Sequence, residues 1–422
     1  MRIFDDSGQP VYQDYSPGTP LPPGYSVKPF FPGYEYKFGK STYRGEEVGE
    51  GGYVFAIPGI YWQVALLDIA SMHPHSIIAE ELFGKKFTEV FETLVNARVY
   101  IKHEEWDMVR SVLGGKLSPY VDKVIAGEFT SDDLAAALKT AINSVYGLTS
   151  AKFDNPFRDI RNVDNIVAKR GALFMINLKY KVQEWGFTVA HIKTDSIKIP
   201  NATPEIIQKV MDYGKEYGYT FEHEATYDRM CLVNDAVYIA RYASTEFCEK
   251  TYGYSPKENR KHPGDWTATG TQFQVPYVFK SLFSKEPVTF DDLCETKSVT
   301  SAIYLDMNER LNPGEHMFQF IGKVGSFCPM MDGAGGGELY RESVNKKTGE
   351  KTYAAVVGTK GWRWMESEMV RNLKKEDAIN RDYYRRLADE AVEAVEKYGS
   401  FDYFVNAPLC TELTDDKPPW IE

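Results

Sequence analysis

The chain has 422 residues, 43% hydrophobic and 14% aromatic, with a formal net charge of −11. That is long for one domain, fills a sizeable core and excludes a disordered chain; the charge argues weakly against a chain that simply coats nucleic acid, while a local basic groove stays open. The five cysteines form no CxxC pair, which argues against a zinc site or disulfide framework and for a reducing compartment; the start, MRIFDDSGQPVY, has no apolar signal core, and no window approaches a membrane span.

Residues 1–42 are rich in Pro, Gly and Tyr and read as an extended arm. GGYVFAIPGIYWQVALLDIA supplies two β-type runs with Pro58-Gly59 as the turn between them. From about Ser76 to Ala141 the pattern is helical, interrupted by GGKLSP. DDLAAALKTAINSVYG predicts a helix with Ser131 as its N-cap and Gly147 closing it. A second helix over VDNIVAKRGALFMINLKYKVQEWG leads into the strand FTVAHIKTDSIKIP. TPEIIQKVMDYGKEYG starts with Thr203 as N-cap and Pro204 in the first turn, and the strands FEHEATY and MCLVNDAVYIARY follow. Helices and antiparallel strands around a carboxylate-bearing hairpin define an α+β core. Beyond about residue 275 come the Gly-rich GKVGSFCPMMDGAGGGELYRE and the long charged helix KKEDAINRDYYRRLADEAVEAVEKYG; no internal repeat is seen.

Two aspartates interrupt apolar strands: Asp68 after the run Val64–Leu67, and Asp195 in KTDS. Taken singly, Asp68 reads as a helix N-cap and Asp195 as a turn residue. Two carboxylates at one sheet edge, however, repel each other unless a cation lies between them. Hard oxygen ligands select Mg²⁺, which takes substrate phosphates as further ligands, the arrangement of two-metal phosphoryl transfer. Between the aspartates, Lys139, Asn143 and Tyr146 fall at i, i+4 and i+7 on one helix face, with Leu138, Ile142 and Val145 on the apolar one. Lys139 to Tyr146 spans roughly 10 Å, about the reach from a triphosphate to a base. The bland reading of that helix is an amphipathic segment with a solvated lysine.

Those stretches carry a resemblance. DIASMHPHSII is similar to motif A of family B DNA polymerases, DxxSLYPSII; KTAINSVYG matches motif B, KxxxNSxYG, at every fixed position; KTDS matches the end of motif C, DTDS. GEGGYVFAIPGIY resembles the template-contacting YxGG segment, and EATYDRMCLVNDAVY the run into the KKxY duplex-contacting motif. The resemblance covers about residues 43–240 and implies a right-hand architecture: an antiparallel-sheet palm (43–80 and 151–274), helical fingers (81–150), and a mixed thumb with the C-terminal region (275–422) after the arm. It implies template-directed DNA synthesis, with dNMP added from dNTP to a primer 3′-hydroxyl and pyrophosphate released. Asp68 and Asp195 would ligate two Mg²⁺ ions, which Mn²⁺ could replace, with the Ile69 carbonyl assisting. Lys139 would act in catalysis and hold the triphosphate with Arg98 and Lys102. Asn143 would support that helix, Tyr146 and Gly147 would form the nascent base-pair pocket, and Ser71, Met72 and His73 would line the nucleotide site. Gly51, Gly52 and Tyr238 would contact DNA. The implied partners are primer–template DNA, dNTPs and a separate exonuclease subunit or processivity factor, in a phage-like setting in the host-cell cytoplasm.

Departures from the pattern bear on function. Lys193 stands at the first aspartate of motif C, where it could pair with a carboxylate or a primer phosphate. His73 replaces the tyrosine under the incoming sugar, with His75 nearby to help it pack. Asp235 and Ala236 replace the lysines of KKxY, and Gly49 replaces the tyrosine of YxGG. Residues 341–375 hold nine Lys or Arg against four acidic residues, a phosphate track or a solvated loop. Motif A begins at residue 68, leaving no room before it for a proofreading domain, so that activity is expected on another polypeptide or not at all. The alternative is an inactive, polymerase-derived subunit of a split replicase that binds primer–template. A two-metal nuclease ranks last, having no use for the Lys139 helix.

Overall fold

The computed structural model describes residues 2–4, 10–12, 31–38, 40–49, 52–80, 85–149, 151, 153, 166–256, 265–308, 314–345 and 347–409. The fold is α+β with antiparallel strand pairing. It divides into two compact units, the first made of Met1–Ile57, Tyr61–Asp228 and Ala243–Lys261, the second of Pro58–Ile60, Arg229–Tyr242 and His262–Glu422.

In the first unit, β1 (Arg2–Phe4) pairs with β2 (Pro10–Tyr12), and β3 (Glu35–Lys37), β4 (Lys40–Tyr43) and β5 (Glu46–Glu47) make a three-stranded sheet. The principal strands are β6 (Val54–Ala56), β7 (Gly59–Ile69), β8 (His191–Lys193), β9 (Ser196–Ile199) and β10 (Phe221–Leu232, in this unit as far as Asp228), in the order β10-β7-β9-β8-β6. The helices are α1 (Met72–Ala79), α2 (Lys85–Lys102), α3 (Trp106–Ser111), α4 (Ser118–Ile125), α5 (Ser131–Thr149), α6 (Ile166–Glu184), α7 (Pro204–Glu216) and α8 (Thr245–Tyr252).

Strand alternation decides what this sheet does with its two faces. Ala65, Leu67 and Ile69 of β7, Ile192 of β8, Ile197 and Ile199 of β9 and Phe221 of β10 enter one core with Leu173, Phe174 and Ile176 of α6 and Ile206 and Val210 of α7. The residues one step out of phase, Asp68, Lys198, His191, Glu222 and Glu224, therefore take the other face. Asp68 lies opposite Ser196, and Leu66 opposite Lys198. A separate small core joins Ala97 and Ile101 of α2, Val109 of α3, Val121 of α4 and Leu134, Ala135 and Leu138 of α5. A further cluster, with Ile77, Phe91, Val95 and Ile142, ties α1 to α2 and α5.

Several sequence expectations shift. Pro58-Gly59 does not close a hairpin: β6 pairs with β8, whereas β7 pairs with β9. Thr130, not Ser131, caps α5. Its Oγ1 accepts from Asp133 N (3.1 Å), while Asp133 Oδ2 accepts from Thr130 N (2.9 Å), a reciprocal box that leaves Ser131 as the first helical residue. That helix passes through Gly147 to Thr149. FEHEATY and MCLVN contribute to one continuous strand, β10. Thr203 does cap α7, accepting from Ile206 N at 3.4 Å.

In the second unit, β11 (Tyr238–Tyr242) pairs with β12 (Trp266–Thr269). Next come α9 (Thr271–Gln274), α10 (Pro276–Val278) and a π-helical turn, Phe279–Ser284. β13 (Glu295–Asp306), β14 (Phe318–Met330), β15 (Glu338–Val344), β16 (Lys351–Ala355) and β17 (Arg363–Glu366) form a sheet in the order β16-β15-β13-β14-β17. Ile303, Leu305, Phe327, Leu339 and Trp364 of these strands share one core with Tyr384. α11 (Ser367–Asn372), α12 (Arg381–Glu396, capped by the Asn380 side chain) and α13 (Phe401–Asn406) follow. No helix among the described residues is long and apolar enough to cross a membrane.

Candidate active site

The polar face of the first unit's sheet opens into a cavity of about 300 Å³. The end of β7 and the start of α1 line it with Asp68 through His75. α2 contributes Arg98, Val99 and Lys102, with His103 just beyond; α5 contributes Lys139, Ile142 and Asn143, and Asp195 and Glu222 complete the wall.

Local backbone geometry aims these groups. Asp195 sits in the two-residue turn between β8 and β9, closed by the Lys193–Ser196 pair, with Thr194 at φ 57. Two hydrogen bonds clamp that turn: Thr194 N donates to Tyr53 O (2.9 Å), and Ile69 N donates to Asp195 O (3.0 Å). The second ties the two aspartate segments together through their backbones. Gly52, at φ 102, packs so close that a Cβ there would lie 3.0 Å from Thr194 Cγ2. A side chain would push the turn out of place. Gly52, expected to contact DNA, has a structural duty in this turn, and Gly51 lies outside the described residues.

Ser71 begins α1 in the left-handed region (φ 56, ψ 55), an uncommon conformation for a side-chain-bearing residue, found at sites held by their surroundings. Its carbonyl accepts from His75 N (3.1 Å) and lies 3.0 Å from His75 Nδ1, and its hydroxyl is 3.4 Å from Arg98 Nη1. Met72 reaches the cavity wall, but its side chain is buried against Gly171 of α6, where a Cβ would come within 2.6 Å of the Met72 sulfur. His73 stacks on Tyr146 across α1 and α5, with ring centroids 4.4 Å apart and planes at 5°. Gly147 is exposed on α5. Tyr238 belongs to the second unit, where it lies opposite Thr269 with only 8% of its surface exposed.

The electrostatics are unbalanced. Burial first, then the charges of Asp195, Glu224 and Glu222, push the Asp68 carboxyl up to about 7, with Lys198 pulling the other way. Burial also raises Asp195, against its own backbone hydrogen bond and the pull of His73 and Lys139. Burial lowers His73, so the neutral imidazole is favoured. His73 Nδ1 and Arg98 Nε are buried without a hydrogen-bond partner in the described structure. Buried polar atoms in that state are expensive, which points to a polar ligand.

Among the described residues, no group of three or more His, Cys, Asp or Glu side chains is placed to hold a metal ion. Asp68 and Asp195 nevertheless have the donor chemistry of a hard divalent cation: two carboxylates that repel each other, their charge only partly offset by Lys198 and Lys139, beside the backbone of Ile69. Sequence reasoning missed Glu222, His103 and Lys198, and met His75 only as a packing neighbour of His73. Period-two counting from Phe221 and Ile197 could have placed Glu222 and Lys198 on the polar face. His103 carried no such signal.

No family model and no curated protein matches the chain. Among solved structures it is similar to the family B DNA polymerase from the hyperthermophilic archaeon Pyrobaculum calidifontis, with 14% sequence identity and a TM-score of 0.36. The likeness covers 86% of this chain and 46% of that polymerase, so the chain spans about half of its length.

Proposed function

We propose that the chain is a template-directed DNA polymerase that transfers dNMP from dNTP to a primer 3′-hydroxyl. One observation carries the reading: Asp68, Asp195, Lys139, Asn143, Arg98 and Lys102, drawn from separate parts of the sequence, line one cavity of about 300 Å³. On this reading the first unit's sheet is the palm, α2 to α5 are the fingers, the second unit carries the thumb, and primer–template DNA is the partner.

Asp68, Asp195 and the Ile69 carbonyl would hold Mg²⁺, or Mn²⁺ in its place, which when bound supplies positive charge to phosphate oxygens and favours ionisation of the attacking hydroxyl. The chain's own residues do the rest. Lys139 on α5 and Arg98 and Lys102 on α2 bind the triphosphate and hold the negative charge that grows on the leaving pyrophosphate. The His73 ring, backed by the stacked Tyr146, would lie under the sugar of the incoming nucleotide. The primer oxygen attacks the α-phosphorus, loses its proton beside the carboxylates, and the bond to pyrophosphate breaks.

Primer extension with Mg²⁺ and dNTPs tests this. Asp68→Ala and Asp195→Ala should abolish extension while primer–template binding persists. Full-length product from either variant, or no extension by the unaltered chain, sinks the reading. Repeating the assay with rNTPs reads the sugar preference that His73 sets; equal incorporation overturns the choice of DNA as product.

A further inference from the structure

The catalytic reading leaves the buried lysine Lys198 unused. Lys198 is 3% exposed and is not part of the cavity wall, so it does not reach a nucleotide there. Its place in the sheet is specific: it lies opposite Leu66 on β7 and opposite His191 on β8, while Asp68 lies opposite Ser196. Lys198 and Asp68 are therefore diagonal neighbours on one sheet face. The ammonium is 3.1 Å from His191 Nδ1; burial pulls it down to about 8, while the charges of Glu224, Asp68 and Asp195, opposed by Lys193, hold it up. Burying a lone ammonium is unfavourable unless carboxylates surround it.

We propose that Lys198 is a positioning residue, a built-in cation beneath the carboxylates that keeps Asp68 and Asp195 assembled before a divalent ion binds. The inference rests on the metal-holding role of those two aspartates. The physics runs both ways. Without a divalent ion, the ammonium offsets the repulsion among Asp68, Asp195 and Glu224. Once an ion arrives, the same ammonium repels it. Lys198 thus sets how tightly the site binds its ion: the site is stable when empty, and its affinity is held below what the carboxylates alone would give. Arrival of the ion need not reorganise the sheet, because the oxygens are already gathered.

The deciding measurement is Mn²⁺ affinity of the full chain without nucleotide or DNA, by calorimetry, for the unaltered protein and Lys198→Met, which keeps the side-chain length and removes the charge. The variant should bind Mn²⁺ about fivefold more tightly or better. It should also melt about 4 °C lower in EDTA, with at least half of that loss restored by saturating Mn²⁺. Unchanged or weaker Mn²⁺ affinity in the variant overturns the proposal whatever the melting temperatures do. An unaltered chain that fails to bind Mn²⁺ is a different result, and takes down the metal-holding role of the aspartates as well. Should Lys198→Met fail to fold, Lys198→Met combined with Glu224→Gln decides: a folded double variant supports charge compensation, and an unfolded one overturns it.

Discussion

Glu46 and Asp68 are carboxylates of the same unit, placed in opposite circumstances. Glu46 is enclosed by donors. Lys179 Nζ is 2.5 Å from Oε1, Tyr180 OH donates to the same oxygen at 2.7 Å, and Tyr53 OH donates to Oε2. Lys179 in turn sits over the rings of Phe55 (4.6 Å) and Tyr180 (4.5 Å). Burial alone would raise Glu46, but those hydrogen bonds outweigh it and hold the carboxyl below its ordinary value. Asp68 has Asp195, Glu222 and Glu224 for neighbours and rises instead. The Glu46 cluster is a satisfied network that fastens β5 to α6, and Tyr53 links it to the turn carrying Asp195. The Asp68 cluster is dominated by like charge, with Lys198 as the cation that pulls the other way. One carboxylate is held by donors; the other is raised by burial and by the like charges around it.

The widest separation between the two should appear in activity. Lys139→Ala is expected to lower the extension rate ~10²–10³-fold with the melting temperature nearly unchanged, because it removes charge stabilisation and no packing. Comparable loss from Glu46→Ala would blur the contrast. In stability the order reverses. Glu46→Ala should cost ~3 kcal/mol in denaturant unfolding, since it strands the buried Lys179 ammonium. A loss under about 1 kcal/mol would show the network to be dispensable.

pH profiles offer a finer comparison, because the signs are opposite. The folded Asp68 carboxyl is raised, so its contribution to stability is complete below about 4, the ordinary aspartate value, and lost as pH rises through about 7. Glu46 is lowered, so its contribution is present above the ordinary glutamate value and lost as pH falls through its lower folded one. In EDTA, Asp68→Asn should therefore gain about 1–2 kcal/mol at pH 8, a figure reduced for the partial exposure of the group, and lose the decline that the unaltered chain shows above neutrality. No gain at pH 8 would mean that the carboxylate is not frustrated. The smallest effect expected is from Gly52→Ala. A Cβ 3.0 Å from Thr194 Cγ2, at φ 102, should cost ~1 kcal/mol and slow extension several-fold by displacing Asp195. A variant with normal activity would free the turn from that contact.

Much was legible in the residues alone. The apolar run Val64–Leu67 ending in Asp68, the Thr203-Pro204 start of α7 and the run of long helices follow from periodicity and capping, which act between chain neighbours. The chemistry of the cavity was equally plain in kind: two aspartates, a lysine and an asparagine on one helix face, and an Arg–Lys pair one turn apart. Other features depend on partners distant in sequence. That Pro58-Gly59 leads away from a hairpin depends on β8 claiming β6, more than a hundred residues on. That Gly52 serves a turn depends on Thr194, and that Asp68 is raised depends on Asp195, Glu222, Glu224 and burial together.

By itself, then, the sequence determined which residues alternate, which helices form and which side chains could do phosphate chemistry, because sterics and hydrogen bonding within a few residues settle those matters. Only the tertiary structure decided which strands pair, and so which charges share a face. Register multiplies a two-residue pattern into a surface, and the free energy of a buried charge is set by whatever the register places beside it.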